Sequence, residues 1–408
     1  MEVLYTHCAG LDVHRDTVVA CVRIAEGRHV TEECKTFATT TSELERLREW
    51  LLEHSVTHVV MEATGVYWKP VWVVLEDGLE LVLANAAHVK NVPGRKTDIN
   101  DATWLANLLA HGLVRASFVP DTQIQQLRAL TRTRKQLVRE KVQHVQRIEK
   151  TLQEANIKIS SAVSDIMGQS GRAILEALIA GETHPDQLAA LCNYRVKASR
   201  QKLREALRGR VSTHHRFLLR LHYEQIRSLE AAIAEIDREV GEAAAPFQHL
   251  VELLKTIPGV SDTVAEVILS ELGPDMWRFP TVGHLLSWAG LCPRNDESAG
   301  KRRSTRLRYG APWLKTQLVQ SAWCAARTKR TYLRAQFTRL KARRGPKKAI
   351  MAVAASILTA VYYMLRDGVA YQDLGPDYFD RLDAGKLTKR LVRKLEDLGY
   401  DVALKKAA

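Results

Sequence analysis

Apolar positions in the first hundred residues fall on two different periods. Ala9–Val13 and Thr17–Ile24 are short β-branched runs separated by His14-Arg15-Asp16, which predicts a hairpin, and His29–Phe37 supplies a third strand. Behind a Thr41 or Ser42 cap, Leu44, Leu47, Trp50 and Leu51 recur at helical spacing and predict a helix to about Glu53. Strand and helix then alternate, with Thr57–Met61, a helix over Tyr67–Glu76, a strand at Glu80–Ala84 and a helix from Asp98 to Leu109.

Three antiparallel strands followed by helix-separated strands is the order of an RNase H-like α/β domain. From Thr122 to about Ala155 the pattern changes. Leu127, Leu130, Leu137, Val138, Val145 and Ile148 keep a helical period among many charged residues, predicting a long exposed helix or coiled coil. Short helices with turns follow around Gly168, Gly171 and Gly181, and helical patterning resumes over Arg195–Arg208 and Phe217–Val240. Pro246 marks a boundary, beyond which the chain reads as mostly helical to Leu365 with a basic loop around Lys301–Arg308. The fold class is therefore α/β plus all-α. It divides into an α/β domain over 1–115, a helical coiled-coil linker over 116–245, a mainly helical domain over 246–370 and an accessory tail over 371–408. The apolar run Ala349–Leu365 is short for a membrane span and rich in alanine, so it predicts a buried helix and no membrane partner.

Composition adds a partner class. The 408 residues carry 60 Lys+Arg against 46 Asp+Glu, a net charge of +14 that points to a polyanion. The excess is localised. Met1 to Asp101 holds 10 basic and 16 acidic residues, whereas Arg294 to Lys348 holds 17 against 2. Further basic blocks run from Arg128 to Lys150, 8 against 2, and from Arg195 to Arg220, 9 against 1. Six scattered cysteines show no Cys-x-x-Cys pair and no zinc spacing, so reduced thiols in a cytosolic protein are expected, and the N-terminus has no secretion signal. Trp288, Trp313 and Trp323 interleave with the charge, but their apolar neighbours place them in the core.

Four carboxylates carry candidate chemistry within the acidic first domain. Asp12 lies in the first strand, Glu62 closes the fourth, and Asp98 and Asp101 sit three apart at a helix start and share one face. Converging carboxylates repel unless a hard cation neutralises them. Mg²⁺ or Mn²⁺ suits such an oxygen-rich set and can assist phosphodiester exchange. Each residue also has a structural reading: Asp98 as a helix cap, Asp101 as a partner of the helix dipole, Asp12 and Glu62 as solvent-facing strand and turn residues. In the last third, a helix ending at Ile257-Pro258-Gly259-Val260 and a second from Ser261 form a helix, Pro-Gly turn, helix arrangement, whose backbone N–H groups at Gly259 are suited to a phosphate. Arg294, Lys301, Arg302, Arg303, Arg306 and Arg308 are the basic loop's candidate nucleic-acid contacts.

These residues carry a family resemblance over most of the chain, to the DEDD-type transposases of bacterial mobile elements, the insertion sequence 110 family. Asp12 in Gly-Leu-Asp-Val, Glu62 in Met-Glu-Ala-Thr-Gly, and Asp98 and Asp101 in Lys-Thr-Asp-Ile-Asn-Asp-Ala match the family's Asp-Glu-Asp-Asp set. Ile257-Pro258-Gly259-Val260, Ala289-Gly290-Leu291-Cys292-Pro293-Arg294 and Ser298-Ala299-Gly300-Lys301 match its second domain. The resemblance implies a RuvC-like first domain, a catalytic metal, and Ser298 as a nucleophile that forms a phosphoserine–DNA intermediate. Ser304 is a nearby competitor. Donor and target DNA, an element-encoded noncoding guide RNA, and a homodimer or homotetramer built through the helices from Thr122 to Val240 are the implied partners, in a bacterial, cytoplasmic, nucleoid-associated setting. One departure is Leu307-Arg308-Tyr309-Gly310-Ala311-Pro312-Trp313-Leu314, which keeps only the basic residue, the glycine and the later leucine of the family's run.

The resulting expectation is a DNA recombinase that excises and inserts its own element. Two rivals make different predictions. A Holliday-junction-type nuclease would use metal-activated water and would not need Ser298, and a non-catalytic nucleic-acid scaffold would not need the carboxylates.

Overall fold

The computed structural model describes residues 3–27, 29–63, 65–84, 100–114, 116–293, 296–298, 300–304, 306–307, 310–382 and 384–405. The chain forms two compact units, Met1–Val119 and Pro120–Ala408.

In the first unit β1 (His7–Val13), β2 (Thr17–Glu26) and β3 (His29–Ala38) form an antiparallel meander. After α1 (Thr41–Glu53), β4 (His58–Glu62) joins β1 in parallel, and after α2 (Trp68–Leu75), β5 (Glu80–Ala84) joins β4 in parallel. The result is a mixed five-stranded sheet of order β3-β2-β1-β4-β5. Strand alternation sorts the side chains. Ala9, Leu11 and Val13 pack with Val59 and Met61 against Leu44, Leu47 and Leu51 of α1 and Val71 and Leu75 of α2. Cys8 and Val60 pack on the other face with Leu105, Leu108 and Leu109 of α3 (Asn100–Ala110). The expected start of that helix at Asp98 lies outside the described residues.

One expectation about the thiols is overturned. Cys21 and Cys34 stand directly opposite in the β2–β3 register and form a disulfide, while Cys8, Cys192, Cys292 and Cys324 are free. The pairing comes from hairpin register. A separation of 13 residues carries no motif that would reveal it.

The second unit is built on two long helices, α4 (Thr122–Glu154) and, after the short helices α5 (Gln169–Ala180), α6 (Pro185–Ala190) and α7 (Arg200–Ala206), α8 (Thr213–Ala244). Leu127 packs with Val240 and Ala244 at one end, and Ile148 and Leu152 with Leu219, Tyr223 and Ile226 at the other, so the pair is antiparallel. Asp121 caps α4 through the Ile124 N–H at 2.9 Å. Helix α8 begins at Thr213, earlier than apolar spacing predicts, because Ser212 and His215 form a capping box.

A second core follows. It gathers α9 (Gln248–Lys255), α10 (Asp262–Leu272), α11 (Val282–Trp288), α12 (Pro312–Ala325), α13 (Tyr332–Arg344) and α14 (Pro346–Asp367). Helix α14 is long and apolar enough to cross a membrane by length and composition, yet Ile350, Val353, Ala354, Ile357, Leu358 and Val361 are buried in this core. The region expected to be a basic loop instead holds a small antiparallel hairpin, β6 (Asp296–Ser298) and β7 (Lys301–Ser304). The tail forms α15 (Tyr378–Leu382) and α16 (Ala384–Glu396).

Candidate active site

The parallel pairing of β1 with β4 brings two of the four candidate carboxylates together. Leu11 is in register with Met61, so Asp12 and Glu62 follow as neighbours at the carboxyl ends of adjacent parallel strands. Such strand ends are where open α/β sheets place their ligands. Alternation puts Asp12 on the face of Cys8 and Gly10, and Glu62 on the face of Val60. Helix α3 covers this same face.

The direction of α3 brings in a third carboxylate. The Cys8 thiol donates to the Ala106 carbonyl at 3.5 Å, and a Cβ added to Gly10 would meet the Ala102 carbonyl and the Ala106 nitrogen. The helix therefore runs antiparallel to β1, and its first turn, which carries Asp101, lies towards the Asp12 end. Asp98 lies outside the described residues. Among the described residues no group of three or more His, Cys, Asp or Glu side chains is gathered closely enough to hold a metal. The donor set is nevertheless all carboxylate on one face, which is the chemistry Mg²⁺ or Mn²⁺ selects.

Sequence reasoning took His14 only as a turn residue. Its Nε2 lies 3.1 Å from Asp12 Oδ2, and the Asp12 side chain is 21% exposed, so imidazole and carboxylate meet at the mouth of the site. The signal was the i, i+2 spacing across the end of β1, where the strand turns and places both side chains on one side.

The second unit holds the other candidates. Helices α9 and α10 flank the Pro258-Gly259 turn, as the helix–turn–helix pattern predicts. Gly259 has a φ of +88°, and a Cβ there would fall 2.5 Å from the Ser321 carbonyl oxygen and 2.7 Å from the Ala325 nitrogen of α12. This glycine is thus required by packing, whatever its N–H does. Ser298 ends β6 and pairs with Lys301, and Gly300 just before β7 has a φ of +73°. Lys301 and Arg306 are exposed, and Arg302 and Arg303 lie in β7. The hydroxyl of Ser304 accepts the Arg306 N–H at 3.2 Å. Arg294 and Arg308 lie outside the described residues.

Part of the basic block on α4 is structural. Arg132 donates from Nε and Nη2 to the two carboxylate oxygens of Glu271, at 2.7 and 2.8 Å, and Glu271 is 2% exposed. Arg128 donates to the carbonyls of Ser270 and Glu271 at 2.8 and 3.0 Å, and burial pulls its pKa down to about 10. Arg128 therefore satisfies carbonyls at the end of α10, and Arg132 neutralises its buried Glu271. Arg134 pairs with Asp237, and Lys141 with Glu230. The tryptophans also differ from the core expectation. Trp313 is half-buried between the guanidinium groups of Arg132 and Arg139, at 5.6 and 5.1 Å, and Trp323 is 38% exposed. Trp288 packs on the core beside Phe279.

Two regions of family similarity cover parts of the chain, the first running across the boundary between the two units and the second lying within the second unit. Residues 9–157 match the DEDD-type IS110 transposase family, and residues 251–338 match the transposase IS116/IS110/IS902 family. The chain belongs to the IS110 family of transposases. It is 32% identical over 158 residues to "Insertion element IS110 uncharacterized 43.6 kDa protein" of Streptomyces coelicolor, covering 38% of this chain and 36% of that protein. It is 26% identical over 160 residues to "Putative transposase y4pF/y4sB" of Sinorhizobium fredii, covering 38% of this chain and 41% of that protein. The matched stretches thus span well under half the length of either relative.

Proposed function

We propose that the chain is a DNA transposase that cuts and rejoins strands to move its own insertion sequence. One observation carries this reading. Asp12 and Glu62 lie near the carboxyl ends of adjacent parallel strands on the face where the first turn of α3 carries Asp101, and the mixed β3-β2-β1-β4-β5 sheet supports an RNase H-like, RuvC-type reading. In this reading Asp12, Glu62, Asp98 and Asp101 hold Mg²⁺ or Mn²⁺, which when bound supplies electrostatic stabilisation to a phosphodiester under attack. The protein's own part is to hold the carboxylates in place, with His14 braced against Asp12.

Ser298 is the proposed nucleophile. Its Oγ forms a bond to phosphorus as one P–O bond to deoxyribose breaks, the serine proton departs and the leaving deoxyribose oxygen takes up a proton. Its place at the end of β6, paired with Lys301, supports this role, and Arg294, Lys301, Arg302, Arg303, Arg306 and Arg308 are proposed to hold the phosphate backbone, with the N–H groups around Gly259 as a further contact. A homodimer or homotetramer through α4 and α8, and an element-encoded guide RNA, belong to the same reading.

The test is to incubate the protein with labelled donor and target DNA and Mg²⁺ and to look for a denaturation-resistant protein–DNA adduct. The adduct is expected in the wild type and absent in Ser298→Ala, while Asp12→Asn and Asp101→Asn abolish recombination. Strand cleavage by Ser298→Ala without an adduct would establish a water-dependent nuclease instead, and unchanged activity in the Asp variants would refute the metal site. Sequencing RNA that copurifies with protein expressed from the intact element tests for the guide.

A further inference from the structure

We propose that the cleft between α13 and the C-terminal helices α15 and α16 is a binding groove for the phosphodiester backbone of a nucleic acid, with the tail supplying one wall. This deepens the transposase reading by naming a place where a strand is held outside the Ser298 loop. It also gives the last forty residues a task.

The cleft measures about 850 Å³. Arg330, Arg334, Arg339 and Arg343 line it from α13 and the turn before it, and Arg390 reaches it from α16, against a single carboxylate, Asp380. Among the described residues, Arg330, Arg334, Arg343 and Arg390 form no ion pair, in contrast to the arginines of α4, which are engaged by Glu271 and Asp237. Like charges gathered without counter-charges repel, and a polyanion is the ligand that relieves them. Arg334 and Arg343 are nine residues apart on one helix, a rise of roughly 13 Å, or about four nucleotides of a stacked strand.

The wall is held by aromatic packing rather than by Arg334, Arg343 or Arg390. Tyr332 at the start of α13 packs on Tyr378 and Phe379, with ring centroids 5.1 and 5.3 Å apart, and its N–H donates to Asp373 at 2.9 Å. The Arg339 guanidinium stacks over Phe379 at 4.8 Å. Arg330, at the mouth, is held at a φ of +58°, a left-handed backbone that residues other than glycine adopt mainly where the surroundings impose it. Phe379, which lines the cleft, already carries the Arg339 guanidinium, and the other arginines offer fork-shaped donors for phosphate, so the groove is suited to gripping backbone rather than reading sequence.

The test measures fluorescence anisotropy of the full chain with labelled duplex DNA, single-stranded DNA and RNA across a potassium chloride series. The triple variant Arg334→Ala/Arg343→Ala/Arg390→Ala should lose roughly tenfold or more in affinity at low salt, and its log–log salt slope should fall by about 2 to 3, one phosphate per arginine. The Arg→Lys triple should keep most of the affinity, and Arg238→Ala on α8 should behave as wild type. Which probe loses most distinguishes DNA from RNA as the occupant. Equal affinity and slope in the alanine triple for all three probes would overturn the proposal. If the triple variant unfolds, phenylglyoxal labelling of the wild type decides: bound oligonucleotide should protect Arg334, Arg343 and Arg390, and unchanged labelling overturns the proposal. Neither readout requires cleavage, so a protein that binds through the groove but forms no Ser298 adduct would refute the catalytic reading alone.

Discussion

A methyl group on Gly10 would lie 2.1 Å from the Ala102 carbonyl oxygen and 2.5 Å from the Ala106 nitrogen, both backbone atoms of the helix that carries Asp101. The missing side chain is what lets α3 lie directly on β1. Gly10→Ala is therefore expected to push the helix off the sheet, costing about 1–3 kcal/mol as overpacking, and, in the proposed function, to abolish recombination by displacing Asp101 from Asp12. Thermal unfolding and the recombination assay check both effects. The matched control is Gly241→Ala on α8, where nothing lies within 4 Å, and which should stabilise by roughly 0.5–1 kcal/mol through helix propensity alone. A Gly10→Ala protein as stable and active as wild type would remove this account of the site. The apolar runs that put Asp12 and Glu62 near the ends of β1 and β4 were legible in the sequence. The close approach at Gly10, the His14 partner and the Cys21–Cys34 bond were not legible, since each depends on which strand or helix lies opposite.

At the scale of elements, the α4–α8 pair shows how a polar helix pair is held together and what can loosen it. The apolar contacts concentrate at the two ends, and the middle relies on polar pairs such as Lys141–Glu230 and His144–His222, whose Nδ1 atoms are 3.3 Å apart. Burial, with Arg147 nearby, lowers the pKa of His144 despite Glu140, and burial together with His144 and Arg147 lowers that of His222. Folded pKa values below the unfolded one mean that the unfolded chain binds protons first as pH falls. Stability is thus full above the ordinary histidine value near 6.5 and declines as pH drops through and below it. The melting temperature of the full chain is expected to fall between about pH 7 and 5, and His144→Gln/His222→Gln should flatten that fall. A double variant with the same pH profile as wild type would show that other groups govern it. The length of α4 was legible from its apolar period. The β6–β7 hairpin was not, because Asp-Glu-Ser and Lys-Arg-Arg-Ser show no apolar alternation and only backbone pairing defines the strands.

On the scale of the whole molecule, the charge separates along the same division as the cores. Residues 1–119 carry 11 Lys/Arg against 16 Asp/Glu, and residues 120–408 carry 49 against 30. A phosphate backbone is repelled by the net charge of the first unit and attracted by that of the second, and binding that releases counterions must depend on the unit that supplies the cations. In the proposed function, the first unit's carboxylates would act on DNA that the second unit has concentrated. Each unit has its own buried core, so the two can be expressed apart and checked for folding by circular dichroism. The 120–408 fragment is expected to retain most of the affinity of the full chain for duplex DNA, with a similarly steep loss as salt rises from 50 to 200 mM. The 1–119 fragment should show no saturable binding over that range. Folded 1–119 binding DNA as tightly as the full chain would mean that affinity comes from the metal-site surface, and the basic surfaces of the second unit would need another role. Sequence composition revealed the excess charge, but not that Arg128, Arg132 and Arg134 spend theirs on Glu271, Asp237 and the end of α10. The nucleic-acid contribution of the second unit therefore falls to cations that folding leaves unpaired, and the salt slope counts them.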